Sequence, residues 1–179
     1  MSLPAIQSDL GVAAQTETAA INVLANAGAT TFIVPLLPDL GKTPLGAPAA
    51  ALATSLSALY NADLVTDLTA LAVTDHISIG FIDTFSLIDA AVSNPAAFGL
   101  TNATDPCYAG PFTGGPPAPC ATPATYLFWD RQHPTETGHE LIASLAENVA
   151  VPEPPTLPIF VAAAVLALIC RRRRTLASE

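Results

Sequence analysis

The chain has 179 residues, 51% of them hydrophobic, with six basic against fifteen acidic side chains and a formal net charge of −9. Four of the six basic residues are Arg171 to Arg174, so residues 1–150 hold only Lys42 and Arg131 against thirteen carboxylates. A domain this poor in cations is excluded as a nucleic-acid binder, because that affinity rests on neutralising phosphates. The length fits one domain of about 150 residues plus a tail.

The first residues, Met1 to Asp9, place no basic side chain ahead of an apolar run and do not read as a signal peptide. Residues 8 to 27 put Leu10, Ala13, Ala14, Ala20, Ile21, Leu24 and Ala25 on one broad helical face, and Gly28 is placed to end that helix. Thr30 to Leu36 is β-branched and almost wholly apolar, the pattern of a parallel strand buried on both faces. Pro35, Pro38 and Pro44 then impose an irregular loop that contains Asp39. From Ala47 to Leu71, with Leu52, Leu56, Leu59, Leu64 and Leu68 between, the alanine-rich chain predicts a long helix or a helix pair, on which Asn61 and Asp63 are surface polar residues. His76 to Asp83 predicts the next strand, opened by a structural His76, and Thr84 to Val92 a short helix. Alternating helices and strands indicate a doubly wound α/β fold around a parallel sheet.

Residues 93 to 125 are rich in proline and glycine, with Pro111-Phe-Thr-Gly-Gly-Pro-Pro-Ala-Pro119 at their centre, and exclude helix or central strand. Long segments of this kind inside a domain are usually functional or disordered. Cys107 and Cys120 flank the proline run. A disulfide between them would close a loop of about 14 residues and contribute about 3 kcal/mol; two free thiols are the alternative.

Tyr126-Leu-Phe-Trp-Asp-Arg-Gln-His-Pro-Thr-Glu-Thr-Gly-His139 is a short apolar run that breaks into a polar turn before a final helix. Pro134 and Thr135 open that helix, Thr137 to Glu140 has capping-box spacing, and Leu141, Ile142, Leu145 and Val149 form its buried stripe. Asp130 and His133, three residues apart, are the candidates for chemistry. An imidazole with a pKa of about 6.5 exchanges protons near neutrality, and a carboxylate fixes its tautomer and stabilises the imidazolium. Together they are two members of a nucleophilic triad. His139 lies six residues past His133, about 240° around a helix, which disfavours joint metal binding. It serves as a local hydrogen-bond partner near a site mouth or as an ordinary surface histidine. No Cys/His cluster has zinc spacing, and neither a metal nor a cofactor is expected.

The block from Phe128 to Thr135, Phe-Trp-Asp-x-x-His-Pro-Thr with a second histidine following, resembles the last block of the SGNH, or GDSL-type, ester hydrolases and lipases. Thr31-Phe-Ile-Val-Pro-Leu-Leu-Pro-Asp-Leu-Gly-Lys-Thr-Pro44 is similar to the family's strand and loop of the form VxNLPDLGxTP. Asn94-Pro-Ala-Ala-Phe-Gly-Leu-Thr-Asn102, with Cys107 and Cys120, is similar to an NPxxFGFxN…C loop of a bacterial subgroup. The three matches lie in family order over roughly residues 20 to 147. The resemblance implies a flavodoxin-like parallel sheet, with Asp130 as the orienting acid and His133 as the general base of a Ser-His-Asp triad acting on a small ester or lipid. It puts the Asp39 loop on the active-site side, where Asp39 would shape the substrate mouth or simply cap its loop. Family members carry the nucleophile in a Gly-Asp-Ser block and oxyanion donors in a later Gly and a Gly-x-Asn-Asp block. None of these occurs here, and Ser8 precedes Asp9 in the reverse order. The chain therefore reads as the C-terminal part of such a hydrolase, a partial doubly wound sheet lacking its N-terminal strands, with an apolar edge open beside Thr30 to Leu36.

Val151-Pro-Glu-Pro-Pro155, the uncharged stretch Leu157 to Cys170 and the four arginines resemble a PEP-CTERM sorting signal of Gram-negative bacteria. The expected organisation is 1–150 hydrolase portion, 151–156 proline-rich linker, 157–170 transmembrane segment and 171–179 basic cytoplasmic tail. The apolar stretch spans only about 21 Å as a helix against a hydrocarbon core of about 30 Å. The arginines extend it by snorkelling and favour the cytoplasmic side, which leaves the domain outside the inner membrane. The resemblance implies an exosortase-type sorting protease as partner, followed by surface display or release, and export favours the bridge over free thiols. A targeting sequence and a nucleophile would both lie upstream of Met1, so the expectation is a reading frame that begins late. The alternative is a non-catalytic, surface-anchored protein with a structural or binding role.

Overall fold

The computed structural model describes residues 3–111 and 113–149. Helix α1 (Leu3–Asn26) begins well ahead of the apolar periodicity, because Pro4 in a first turn forfeits no intrahelical hydrogen bond. It ends where Gly28 takes φ +104° and the Ala29 N–H returns to the Leu24 carbonyl. Strand β1 (Thr31–Pro35) leads into the proline loop, which winds through 3-10 turns at Leu40–Lys42 and Ala47–Ala49. Helix α2 (Ala50–Asp75) is then one helix rather than a pair, since no glycine or proline interrupts it. Its last carbonyls are closed by His76, whose N–H bonds to Ala72 O in the left-handed conformation, φ +53°. His76 is thus a helix cap and does not open the strand, which starts two residues later as β2 (Ser78–Ile82).

β1 and β2 pair in parallel with Ile33 opposite Gly80. Val34, on one face of the pair, joins Ala14, Ile21, Leu64 and Leu68 in a core shared with α1 and α2. The expectation of a strand buried on both faces fails at Ile33, which is 43% exposed. On that second face Val149, just past α4 (Glu136–Asn148), lies over β2: a Cβ on Gly80 would stand 2.2 Å from Val149 Cγ1.

Helix α3 (Thr84–Ser93) leads to the second core, Ile88, Ala91, Leu100, Ala103, Leu127 and Phe128. Here the expectation of an unstructured 93–125 is corrected. Only its centre is rich in glycine and proline; the flanks form a 3-10 turn at Pro95–Phe98 and strand β3 (Asn102–Pro106), which runs parallel to β4 (Tyr126–Phe128). Backbone bonds from Thr101 N to Thr125 O and from Cys107 N to Phe128 O continue that pairing at both ends. The single doubly wound sheet is corrected accordingly: among the described residues there are two two-stranded parallel sheets. Cys107 and Cys120 are joined by a disulfide that ties the loop's far end to β3. The expected segment 157–170 and the linker and tail around it lie outside the described residues. Among the described residues, no helix is long and apolar enough to cross a membrane.

Candidate active site

β4 ends at Phe128 and the chain reverses within five residues. Trp129 N donates to His133 O at 2.8 Å, and Phe128 bridges to Pro134 in antiparallel fashion. Thr135 then fastens the turn. Its N–H reaches Leu127 O at 2.9 Å, its hydroxyl donates to Tyr126 O at 2.6 Å, and the same Oγ1 accepts from Gly138 N at 3.2 Å as the cap of α4. The expected capping box at Thr137 is therefore replaced by a simple cap at Thr135, since Gly138 at the third helical position has no side chain to reach back; Thr137 instead donates to Ala124 O. The first turn of α4 lies so close to β4 that a Cβ on Gly138 would meet Pro134 Cβ at 2.7 Å and Leu127 O at 2.9 Å.

Inside this turn the side chain of Asp130 points inward and is 11% exposed. Its Oδ1 accepts from Gln132 N at 2.8 Å and His133 N at 2.7 Å, which leaves Oδ2 to meet His133 Nδ1 at 2.8 Å. Burial alone would raise the Asp130 pKa, but the His133 and Gln132 backbone N–H groups, with the imidazole, outweigh it and hold the carboxyl below its ordinary value. The His133 side chain is 57% exposed. A buried, ionised carboxylate thus orients an accessible imidazole through Nδ1, the relation of orienter to base in nucleophilic catalysis.

The other residues singled out in the sequence divide. Asp39 does not stand at a mouth. It is fully buried, and Oδ1 accepts from Gly41 N at 2.8 Å and Thr54 Oγ1 at 2.6 Å, two donors that turn the short side chain inward as the cap of its 3-10 turn. Asn61 is not a surface contact. It is buried, and its amide pairs with both backbone groups of Leu37 at 2.8 Å. With Thr84 Oγ1 donating to Leu36 O, these bonds clamp the chain leaving β1. That loop reaches the Asp130 turn directly, since Leu45 N donates to Arg131 O at 2.7 Å.

His139 lines an apolar cavity of about 520 Å³ between the β1 loop and α4, together with Leu37, Tyr60, Ile88, Phe128 and Gln132. The sequence reading missed the polar spot in its wall, where Tyr60 Oη donates to Glu17 Oε2 at 2.5 Å. Burial, and then the bond to Glu17 and its charge, push the Tyr60 pKa up to about 12, so the phenol stays a donor. Glu17 lies in the polar run Gln15-Thr16-Glu17-Thr18 of α1, where nothing local marks it, and its partner is 43 positions away.

The model of the family described as GDSL-like lipase/acylhydrolase matches residues 3–146. Among curated proteins, the chain is similar to Esterase EstA of Pseudomonas aeruginosa, 34% identical over 122 residues that make up 63% of this chain and 18% of that protein. A GDSL esterase/lipase of Arabidopsis thaliana is 28% identical over 140 residues, 69% of this chain and 39% of that protein. A second from the same plant is 31% identical over 136 residues, 72% of this chain and 38% of that protein. The matched part thus amounts to between 18% and 39% of the length of these relatives.

Proposed function

The chain belongs to the GDSL-like lipase/acylhydrolase family, and on that premise we propose that it supplies the general base and the orienting acid of an ester hydrolase. In the working enzyme a serine Oγ, from residues outside this sequence, attacks the ester carbonyl. His133 accepts the serine proton and delivers it to the leaving alcohol, and water hydrolyses the acyl-enzyme with the same residue as base. Asp130 keeps Nδ1 protonated and stabilises the imidazolium. The observation that carries this reading is the 2.8 Å bond from His133 Nδ1 to a carboxylate already fixed by two backbone N–H groups. The apolar cavity beside Gln132 and His139 supports a small ester or lipid as substrate.

The tail completes the proposal. Residues 1–150 form the hydrolase portion, 151–156 the linker, and 157–170 the anchor in the inner membrane with the domain outside, ahead of the basic tail 171–179. The Pro-Glu-Pro motif is the recognition point of an exosortase-type protease, leading to surface display or release. What supports this is the order of motif, apolar stretch and arginine cluster.

The test is aryl-ester hydrolysis by the protein purified at its natural length from the membrane fraction, compared with its His133→Ala variant and with the 179-residue chain alone. The expected result is activity in the first and near-complete loss in the other two, since one oxyanion donor alone is typically worth about 10²-fold. Unchanged activity in His133→Ala would overturn the assignment of the base. Full activity in the 179-residue chain would place the nucleophile within it. A second reading, a non-catalytic surface-anchored protein, is favoured by the lack of a Gly-Asp-Ser block in these residues. A natural-length protein that folds but hydrolyses no ester would select it.

A further inference from the structure

We propose that Tyr108 is a positioning residue for His133 and acts through Trp129, so that the loop closed by Cys107 and Cys120 braces the turn on which the imidazole stands. The role of His133 rests on the function proposed above; the brace itself does not.

Trp129 is the link. Phe128 before it is buried in the second core, whereas Trp129, just past the end of β4, is 38% exposed and is not held by core packing. Three contacts hold it instead. Its N–H donates to His133 O at 2.8 Å, its carbonyl accepts from Tyr108 N at 2.6 Å, and its ring stacks on that of Tyr108 with centroids 5.9 Å apart and planes 20° from parallel. Two of the three come from Tyr108, and the third reaches the backbone of the base. His133 is thereby fixed through both of its own backbone groups, since its N–H is held by Asp130 Oδ1 at 2.7 Å. Release of Trp129 would leave only the second.

Tyr108 can serve in this way because the loop is built around it. It follows Cys107, whose N–H continues the β3 and β4 pairing at Phe128 O, and Cys120 returns to the same point through the bridge and through its N–H, which donates to Cys107 O at 2.7 Å. Between the two cysteines the chain folds over the phenol. Tyr108 Oη lies 3.0 Å from Pro111 O and 3.1 Å from Gly115 O, and its one proton serves these two carbonyls. A Cβ at Gly110 would stand 2.3 Å from the same oxygen, so any side chain there would displace the ring. Tyr108 is buried as a result. The loop's own bonds end at the phenol, while the ring face and the backbone N–H are given to Trp129 and carry the loop's rigidity to the base. Placement of this kind matters to catalysis, since a shift of about 1 Å can cost about 10²-fold in rate.

The experiment uses Tyr108→Leu, which removes the ring stack and keeps the backbone N–H, and Tyr108→Phe, which keeps the stack and removes only the phenol oxygen. In the full chain, hydrogen exchange of the Trp129 amide is compared with that of the Thr135 amide, which bonds Leu127 O at the far end of the same turn. Tyr108→Leu is expected to speed exchange at Trp129 about 10-fold and to leave Thr135 at its wild-type rate, and Tyr108→Phe to restore Trp129. In the natural-length enzyme Tyr108→Leu should lower kcat about 10-fold with KM little changed, and Tyr108→Phe should return kcat close to wild type. Equal acceleration at both amides, or none at Trp129, would overturn the brace. An unchanged kcat beside a loosened Trp129 would overturn the positioning role. Should Tyr108→Leu fail to fold, Trp129→Leu removes the same stack from its exposed side, and wild-type protection at that position, corrected for intrinsic exchange, would overturn the proposal. The exchange readout uses no ester hydrolysis, so failure of the brace and failure of the proposed function are separate outcomes.

Discussion

At Asp130, two backbone N–H groups and one imidazole converge on a carboxylate that the turn has buried, and each bond is stronger while the group is ionised. Its lowered pKa therefore contributes stability that is present above the unfolded value of about 3.9 and is lost as pH falls through the folded value. Melting temperature measured from about pH 5 down to about pH 2 should show this acid-side loss in the wild type, and Asp130→Asn should lack that component. In the natural-length enzyme the same substitution should lower kcat by about 10³- to 10⁴-fold, because an amide no longer selects the required imidazole tautomer. His76 offers a test of the opposite sign. It holds a left-handed φ of +53° that costs a residue with a Cβ about 1 kcal/mol, so His76→Gly should raise stability in urea by about that amount. Asp130 and His133 were legible as a pair because one short turn contains both. Asp39 and Asn61 were not, because the groups that bury them, Thr54 and Leu37, stand 15 and 24 positions away and carry no local pattern.

Among the elements, those with apolar periodicity could be read and those held by pairing alone could not. α2 follows from its leucine spacing, whereas Asn102-Ala-Thr-Asp-Pro106 has no alternation that marks a strand. β3 exists because β4, from residue 126 onward, supplies its hydrogen bonds and because the Cys107–Cys120 bridge ties its end. Replacing both cysteines by serine should cost about 3 kcal/mol by the loop-entropy argument, read from the denaturation midpoint under non-reducing conditions. The join between β4 and α4 is equally specific. Alanine is the better helix former by about 1 kcal/mol, but at Gly138 its methyl would press on the Leu127 carbonyl, which has no freedom to yield. Gly138→Ala should therefore destabilise by about 1–3 kcal/mol and broaden the His133 ring resonances, since Pro134 and Leu127 flank that turn. A gain in stability would show that α4 shifts freely against β4.

For the whole molecule, the order of helices and strands as far as α3 was visible in the sequence, but β3 and the division of the sheet were not, because they depend on pairing and edges. β1 pairs with β2 on one side, and among the described residues no strand pairs with its other side. Ile33 stands exposed in that strand, while Val34 beside it is buried against α1 and α2. An unpaired edge with an exposed apolar side chain is a template for another strand, and natural edges are commonly blunted by an inserted lysine. Here Pro35 removes one donor at the end of the strand, and the intervening residues carry no charge. The chain should thus self-associate through β1, and Ile33→Lys should shift its sedimentation distribution towards monomer. Both proteins carry the same apolar tail, so the difference between them reports on the edge alone. The lysine removes a side chain that contributes nothing to the core around Val34, so its melting temperature should stay within a degree or two of the wild type. An unchanged distribution, with folding intact, would show that this edge is not where copies of the chain meet.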